Sequence, residues 1–296
     1  MSTAFNKSSN KPGSTPSSPT GNIIKRMKPL LGTFVEIGFC ESDALSASDI
    51  FDQAFKSIVE IEQQMSFHNP LSALSRLNFT GTQPGQWIDL PSETLDVLQK
   101  AKMLSEKTNG LFNCTVGGYL VNRQKLPNHF VHDFLLSGQA DDIEISDHQA
   151  RLRRPVLITL DGIAKGYAVD QAIQTLQLNN VQSGYVNAGG DLRVFGSLQL
   201  PIYLRQITEQ SQVVTPPSIA LHNQAFASSQ VIRKSVQPLP SHIIDSLGVE
   251  PEDGLICVQA SKAWLADGLT KVLALLPESK RSAMADTFST RYVSNN

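Results

Sequence analysis

The chain has 296 residues, 41% hydrophobic and 18% charged, enough apolar material for one large or two ordinary domains and too much for a wholly disordered chain. Its 25 basic and 27 acidic residues leave a net charge of −2, and the longest basic cluster is Arg151, Arg153 and Arg154, which excludes nucleic acid as a partner on charge. Three cysteines far apart (Cys40, Cys114, Cys257) exclude a disulfide framework and a Cys-rich zinc site, and no apolar run reaches the roughly 18 residues of a membrane span.

Residues 1–22 are rich in Ser, Thr, Pro, Gly and Asn, and are predicted to be a disordered tail, because they cannot bury enough surface to offset their ordering entropy. They hold neither an apolar run nor a cysteine for lipidation, so a cytoplasmic protein without membrane insertion is expected. Order begins near Ile23, in one domain over 23–296. Leu30–Ile37 is a short strand entered through a Leu-Gly-Thr turn. Ile50, Ala54, Phe55, Ile58, Ile61 and Met65 recur at helical spacing and end before Asn69-Pro70. Ser92 caps a second helix carrying Leu95, Leu98, Ala101 and Leu104, which stops at Asn109-Gly110. Residues 142–161 read as strands, with Val156, Ile158 and Leu160 on one face. A helix then runs through Leu176, strands cover Tyr185–Asn187 and Leu192–Phe195, and 199–220 is strand-like around Pro216-Pro217. Residues 234–253 are mostly loop, and a final helix spans Ala266–Leu276 and stops at Pro277. Strands and helices mix without strict alternation, so the class is α+β.

Five segments could carry chemistry, and each has an ordinary structural alternative. Asp161-Gly162-Ile163-Ala164-Lys165-Gly166 joins a strand to a helix start, where unpaired N–H groups and a lysine suit phosphate; it also reads as a plain turn with a surface lysine. Asn187-Ala188-Gly189-Gly190-Asp191 can form an anion nest or a simple hairpin turn. Asp267, Thr270 and Lys271 share one helical face, fit for a hard cation or for a cap and a surface ion pair. His68, past a helix end, can stack on a planar ligand or stay solvated. Ser241-His242-Ile243-Ile244-Asp245 puts His242 and Asp245 on opposite faces of a strand, which argues against a Ser-His-Asp triad.

The order of LLGTFVEI, MSFHNPLSALSRLN, LFNCTVG, LDGIAKGYAVD, GYVNAGGDLRVFG, SHIID and ADGLTKVLAL resembles the ApbE family of FAD:protein FMN transferases, from Leu30 to Leu275. The resemblance implies a two-lobed α+β fold, T-fold-like, with a flavin-binding cleft. It implies that FMN passes from FAD to a Thr or Ser hydroxyl of an acceptor protein, with Mg²⁺ assistance and release of AMP. It places Leu31, His68, Thr115, Val116, Gly117, Thr159, Lys165 and Ile244 at FAD. His242 and Asp245 belong to a loop that closes on the cofactor. The Mg²⁺ ligands are the Gly162 carbonyl, Asp267 and Thr270, and Asp267 is the candidate for deprotonating the acceptor.

Three positions depart from the family pattern. Lys271 stands where Thr is common, four residues after Asp267, leaving Thr270 as the hydroxyl ligand. Thr159 stands where many members have Asp, with Asp161 two residues on. Ser246-Leu247-Gly248 replaces the usual Pro-x-Thr-Gly. Two other activities remain compatible with the same site: an FAD pyrophosphatase, and a non-catalytic FAD-binding protein in which Lys271 replaces the metal charge.

Overall fold

A computed structural model describes residues 22–40, 46–207, 212–214, 219–231 and 243–293. The predicted tail, Asn22 apart, and Ser241 and His242 lie outside the described residues.

Strands β1 (Ile23–Leu30) and β2 (Thr33–Cys40) form a hairpin. Its two-residue turn places Leu31 at φ +55° and Gly32 at φ +67°, the paired left-handed conformation that matches strand twist. Helix α1 (Ala47–Met65) buries the apolar stripe read from the sequence, Ile50 through Met65. Helix α2 (Ala73–Phe79) is capped by Ser72, whose side chain accepts the Ser75 N–H. A short β3 (Ile88–Asp89) precedes α3 (Ser92–Lys107), which buries Leu95, Leu98, Ala101 and Leu104; its cap residue is Pro91, not Ser92. Helix α4 (Gly117–Asn122) is followed by β4 (Ile143–Ile145) and β5 (Gln149–Leu152).

Residues 156–160 do not join a sheet. The Asn78 side chain occupies both backbone groups of Ile158, accepting its N–H at 2.7 Å and donating to its carbonyl at 2.9 Å. Thr159 N–H goes to the Cys114 carbonyl at 2.8 Å. Val156, Leu157, Ile158 and Leu160 are all fully buried, so the alternation expected of a one-faced strand is absent.

Helix α5 (Ala164–Leu178) leads into the hairpin of β6 (Gly184–Ala188) and β7 (Asp191–Phe195), turned by Gly189 and Gly190, both at positive φ. Then come β8 (Gln199–Ile202), β9 (Arg205–Ile207), β10 (Gln212–Val214), β11 (Ile219–His222), β12 (Ala225–Val231) and β13 (Gly254–Ala260). The chain finishes with α6 (Ala263–Ala274), α7 (Glu278–Asp286) and β14 (Arg291–Val293). Pro277 ends α6 as expected but also starts α7, since its fixed φ suits a helix entry.

The main sheet has seven strands in the order β1-β2-β6-β7-β12-β13-β14, with antiparallel neighbours. α1 packs on α5, α5 on α6, and α6 on β12 and β13. A second apolar cluster, including Leu192, Val194, Leu221, Phe226 and Cys257, extends to the paired strands β8 and β11. The smaller sheet β3-β5-β4 packs with α2 and α3, and shares one continuous core with the large one. The fold is α+β, as the sequence predicts. No helix among the described residues is long and apolar enough to cross a membrane.

Candidate active site

The start of α5 meets α6 at one glycine. A side chain at Gly166 would put its Cβ 2.3 Å from the Ala263 carbonyl oxygen and 2.8 Å from the Asp267 Cβ, so only glycine permits this approach. The contact lets the Gly166 N–H, one of the helix-start donors without an intrahelical partner, reach Asp267 Oδ2 at 2.9 Å. Asp267 lies inside α6 rather than at its cap and is fully buried. Its Oδ1 is ion-paired with the Lys271 Nζ one turn on. The Thr270 hydroxyl donates to the Asp267 carbonyl at 2.7 Å and lies 2.7 Å from Ser229 Oγ of β12.

A second ion pair stands beside the first. Lys165 Nζ is 3.0 Å from Asp191 Oδ2. Asp191 follows the Gly189-Gly190 turn, is 1% exposed, and neither of its oxygens has a hydrogen bond of good geometry. Burial first, then the like charge of Asp267, pushes its carboxyl up to about 6, against the lowering effect of Lys165 and Lys271. The Asp191 carboxylate in turn raises the Lys165 ammonium above the usual lysine range, outweighing desolvation, with help from Asp267 and Asp161.

The cluster opens onto an apolar slot lined by Phe112, Cys114, Val116, Leu120, Ile244 and Leu275, with Thr159, Asp161, Gly162 and Lys271 as its polar end. Burial pushes the Cys114 thiol up to about 12, which keeps it neutral and unreactive. The slot encloses about 90 Å³, room for the edge of a flat ring and not the whole of it, and its polar end carries the Lys271 ammonium next to the turn that leads into α5.

Of the residues put forward from the sequence, Val116, Thr159, Gly162 and Ile244 line this slot, and Lys165, Asp267 and Thr270 belong to the charged cluster or its hydrogen bonds. Thr115 and Gly117 stand behind it: Thr115 Oγ1 bonds Asn113 Oδ1 at 2.7 Å and accepts the Gly138 N–H at 3.1 Å, while the Gly117 N–H goes to the Leu157 carbonyl at 3.0 Å. Leu31 and His68 lie outside it. The Leu31 N–H is tied to Glu62 Oε1 at 3.1 Å. His68 is exposed, and near enough to His129 to add to the burial that lowers that ring's pKa. His242 lies outside the described residues, and Asp245 turns inward on its own loop, accepting the Leu247 and Val249 N–H groups at 2.9 and 2.7 Å. Sequence reasoning missed Asp191 as a charged partner, Asn78 as the clamp on Ile158, and Asp170. Asp170 bonds Arg193 at 2.6 Å and accepts the Trp264 N–H at 3.0 Å, which starts α6 at Ala263 rather than Ala266. Only the Asp191 position carried a local signal, its Gly-Gly turn.

The donors do not fit the magnesium ion that the resemblance implies. Magnesium needs near-octahedral oxygen ligands with free lone pairs. Here both Asp267 oxygens have partners, one of them a cation, and the Thr270 hydroxyl is engaged with Ser229 and the Asp267 carbonyl. Among the described residues, no group of three or more His, Cys, Asp or Glu side chains gathers in a metal-holding arrangement.

A sequence profile of the ApbE family matches residues 31–293. An FAD:protein FMN transferase from Haemophilus influenzae is 25% identical, with 89% of this chain and 84% of that one covered. One of the same name from Vibrio cholerae is 24% identical, covering 87% and 83%. Among solved structures, the flavin transferase ApbE from Vibrio cholerae superposes with a TM-score of 0.78 at 21% identity over 92% of this chain and 93% of that one. The apo flavinyl transferase ApbE from Pseudomonas stutzeri gives 0.75 at 19% identity over 93% and 92%. With the profile matching nearly the whole described chain, the protein belongs to the ApbE family.

Proposed function

We propose that this protein is an FAD:protein FMN transferase, moving FMN from FAD to a Thr or Ser hydroxyl of an acceptor protein and releasing AMP. The observation that carries the reading is the pair of ammonium–carboxylate contacts, Lys165–Asp191 and Lys271–Asp267, at the start of α5 and at the mouth of an apolar slot. Family membership and the names of the relatives support it.

A pyrophosphate resists attack because its negative charge repels nucleophiles. Phosphoryl transfer then needs mainly positioning and charge stabilisation. Lys165, Lys271 and the α5 start would hold the pyrophosphate oxygens, with part of the ring system in the slot. The acceptor hydroxyl oxygen bonds to the FMN phosphorus, and the bond from that phosphorus to the bridging oxygen breaks, so AMP leaves with the electron pair. The hydroxyl proton needs an acceptor. Asp267, the choice from sequence, has both oxygens partnered and so serves by holding Lys271 and the Gly166 N–H. Asp191 has its Oδ2 ion-paired with Lys165, but its Oδ1 accepts no hydrogen bond and its carboxyl is raised to about 6, which suits proton uptake near neutral pH. The groups expected to hold magnesium, the Asp267 carboxylate and the Thr270 hydroxyl, already have partners within the protein.

The test is intact-mass analysis of a Ser/Thr-containing acceptor domain incubated with the protein and FAD, with and without Mg²⁺, while AMP is followed. A gain of one FMN with AMP release is expected. AMP and free FMN without a mass gain point to a pyrophosphatase or to an acceptor that this protein does not use. A second reading, FAD bound and kept intact, is favoured by the cation already seated on Asp267, and FAD that binds the protein and stays unchanged throughout would establish it.

A further inference from the structure

One of the positions that depart from the family pattern, Lys271, carries one of the two ammonium groups of the site. Lys271 lies one helical turn beyond Asp267 and ion-pairs with its Oδ1, while the other oxygen takes the Gly166 N–H. Asp267 is fully buried and the Lys271 side chain 20% exposed, so the carboxylate is shielded from bulk water and the ammonium only partly reaches it. The lysine stem also runs past Gly162, whose carbonyl is another expected metal ligand: Lys271 Cγ lies 3.7 Å from where a Gly162 Cβ would stand. Thr270, the third expected ligand, gives its only proton to the Asp267 carbonyl, so Ser229 must donate to it. One lysine therefore takes one of the three expected ligand positions and passes beside the residue of a second, and the third is engaged with β12.

Charge balance reinforces this. Within the two ion pairs, Lys165 and Lys271 balance the buried carboxylates Asp191 and Asp267, while the third carboxylate nearby, Asp161, is exposed at the polar end of the slot. A divalent cation placed on Asp267 would stand beside the ammonium already paired with that buried carboxylate, and like charges so close repel more strongly than in water. An ammonium is a compact charge with three donors. One of these serves Asp267, and Lys271 also lines the slot, where the others can meet a ligand anion.

We propose that Lys271 is the resident cation of this site: its ammonium takes the place of a divalent metal on Asp267 and is a binding group for the pyrophosphate of FAD. The identity of the anion rests on the transferase reading; the exclusion of metal does not.

The test uses the full chain and Mn²⁺ as the probe, followed by electron paramagnetic resonance. The wild type should hold no stoichiometric Mn²⁺ at about 1 mM, whereas Lys271→Thr, which frees the carboxylate, should acquire a single site that Lys271→Thr/Asp267→Asn lacks. Lys271→Met, which keeps the stem and removes the charge, guards against a folding defect and should also gain Mn²⁺ binding. A wild-type Mn²⁺ site weakened about tenfold or more by Asp267→Asn would overturn the proposal. Failure of both folded Lys271 variants to bind Mn²⁺ would overturn it too, because the lysine would then not be what excludes the metal. Flavin fluorescence tests the second half. Wild-type FAD affinity should be the same in EDTA and in Mg²⁺, and Lys271→Met should weaken it about tenfold without metal; equal affinity of wild type and variant would sink the pyrophosphate role. If the wild type binds no FAD at all, the transferase reading fails and the pyrophosphate role with it, while the Mn²⁺ result still decides the metal exclusion.

Discussion

Asp191 shows how the site's charges bear on stability. Its carboxyl titrates near 6 in the folded chain, because burial and the neighbouring Asp267 disfavour its charge, against about 3.9 in an unfolded chain. The folded state therefore prefers the protonated form. That preference acts in full below pH ~4 and is lost as pH rises through 6, a change of about 3 kcal/mol. Asp191→Asn should raise unfolding stability by up to that amount at pH 8 and hardly at all at pH 4, while flavin transfer falls because Lys165 loses its partner. Urea denaturation at the two pH values checks this; an equal gain at both would show that the carboxyl is not strained. Asn78 acts in the opposite sense. It satisfies the N–H and carbonyl of fully buried Ile158, so Asn78→Ala strands two backbone groups and should cost about 3 kcal/mol. A loss under 1 kcal/mol in the same assay would mean that the segment finds other partners or water.

At the scale of elements, the site depends on how α5, α6 and β7 are fastened together. Asp170 of α5 holds Arg193 of β7 and caps the first turn of α6 through the Trp264 N–H. Asp170→Ala leaves Arg193, 14% exposed at its side chain, without that carboxylate, and removes the cap. Breaking one partner of a buried pair costs about 3–5 kcal/mol. The loss should appear as a lower denaturation midpoint and as weaker FAD binding, because the α5–α6 contact at Gly166 sets where Asp267 and Lys271 lie. Loss of stability with undiminished FAD affinity would separate this fastening from the site.

Across the whole molecule, the charged cluster draws on parts of the chain about 100 residues apart, since Gly166 and Asp267 are separated by 101 positions. The slot adds residues 111–120 and Ile243–Ile244 to them. A ligand that bridges these parts binds the folded chain and not the unfolded one. Saturating FAD, at about 100 times its dissociation constant, should therefore stabilise the protein by about 2.7 kcal/mol. Lys165→Met should abolish most of the resulting rise in Tm. A full rise in that variant would place the FAD phosphates away from the α5 start.

The sequence by itself determined the α+β class, α1 and α3, the β6–β7 hairpin, and the helix start that carries Lys165. Each has a local cause: an apolar stripe at helical spacing, a glycine pair in a turn, or a helix beginning after a Gly-containing turn. Only the tertiary structure decided what these parts do together. Residues 156–160 look like a strand but give their hydrogen bonds to Asn78 and Cys114, a choice that no local pattern encodes. α6 starts early because its cap comes from a residue 94 positions away. The choice between a metal ligand and an ion pair at Asp267 was likewise open in the sequence, where Asp267, Thr270 and Lys271 share one helical face. It was decided by what surrounds that face. Gly166 and Lys271 take the two carboxylate oxygens, and Ser229 engages the Thr270 hydroxyl, because a buried charge must find partners wherever the fold brings them.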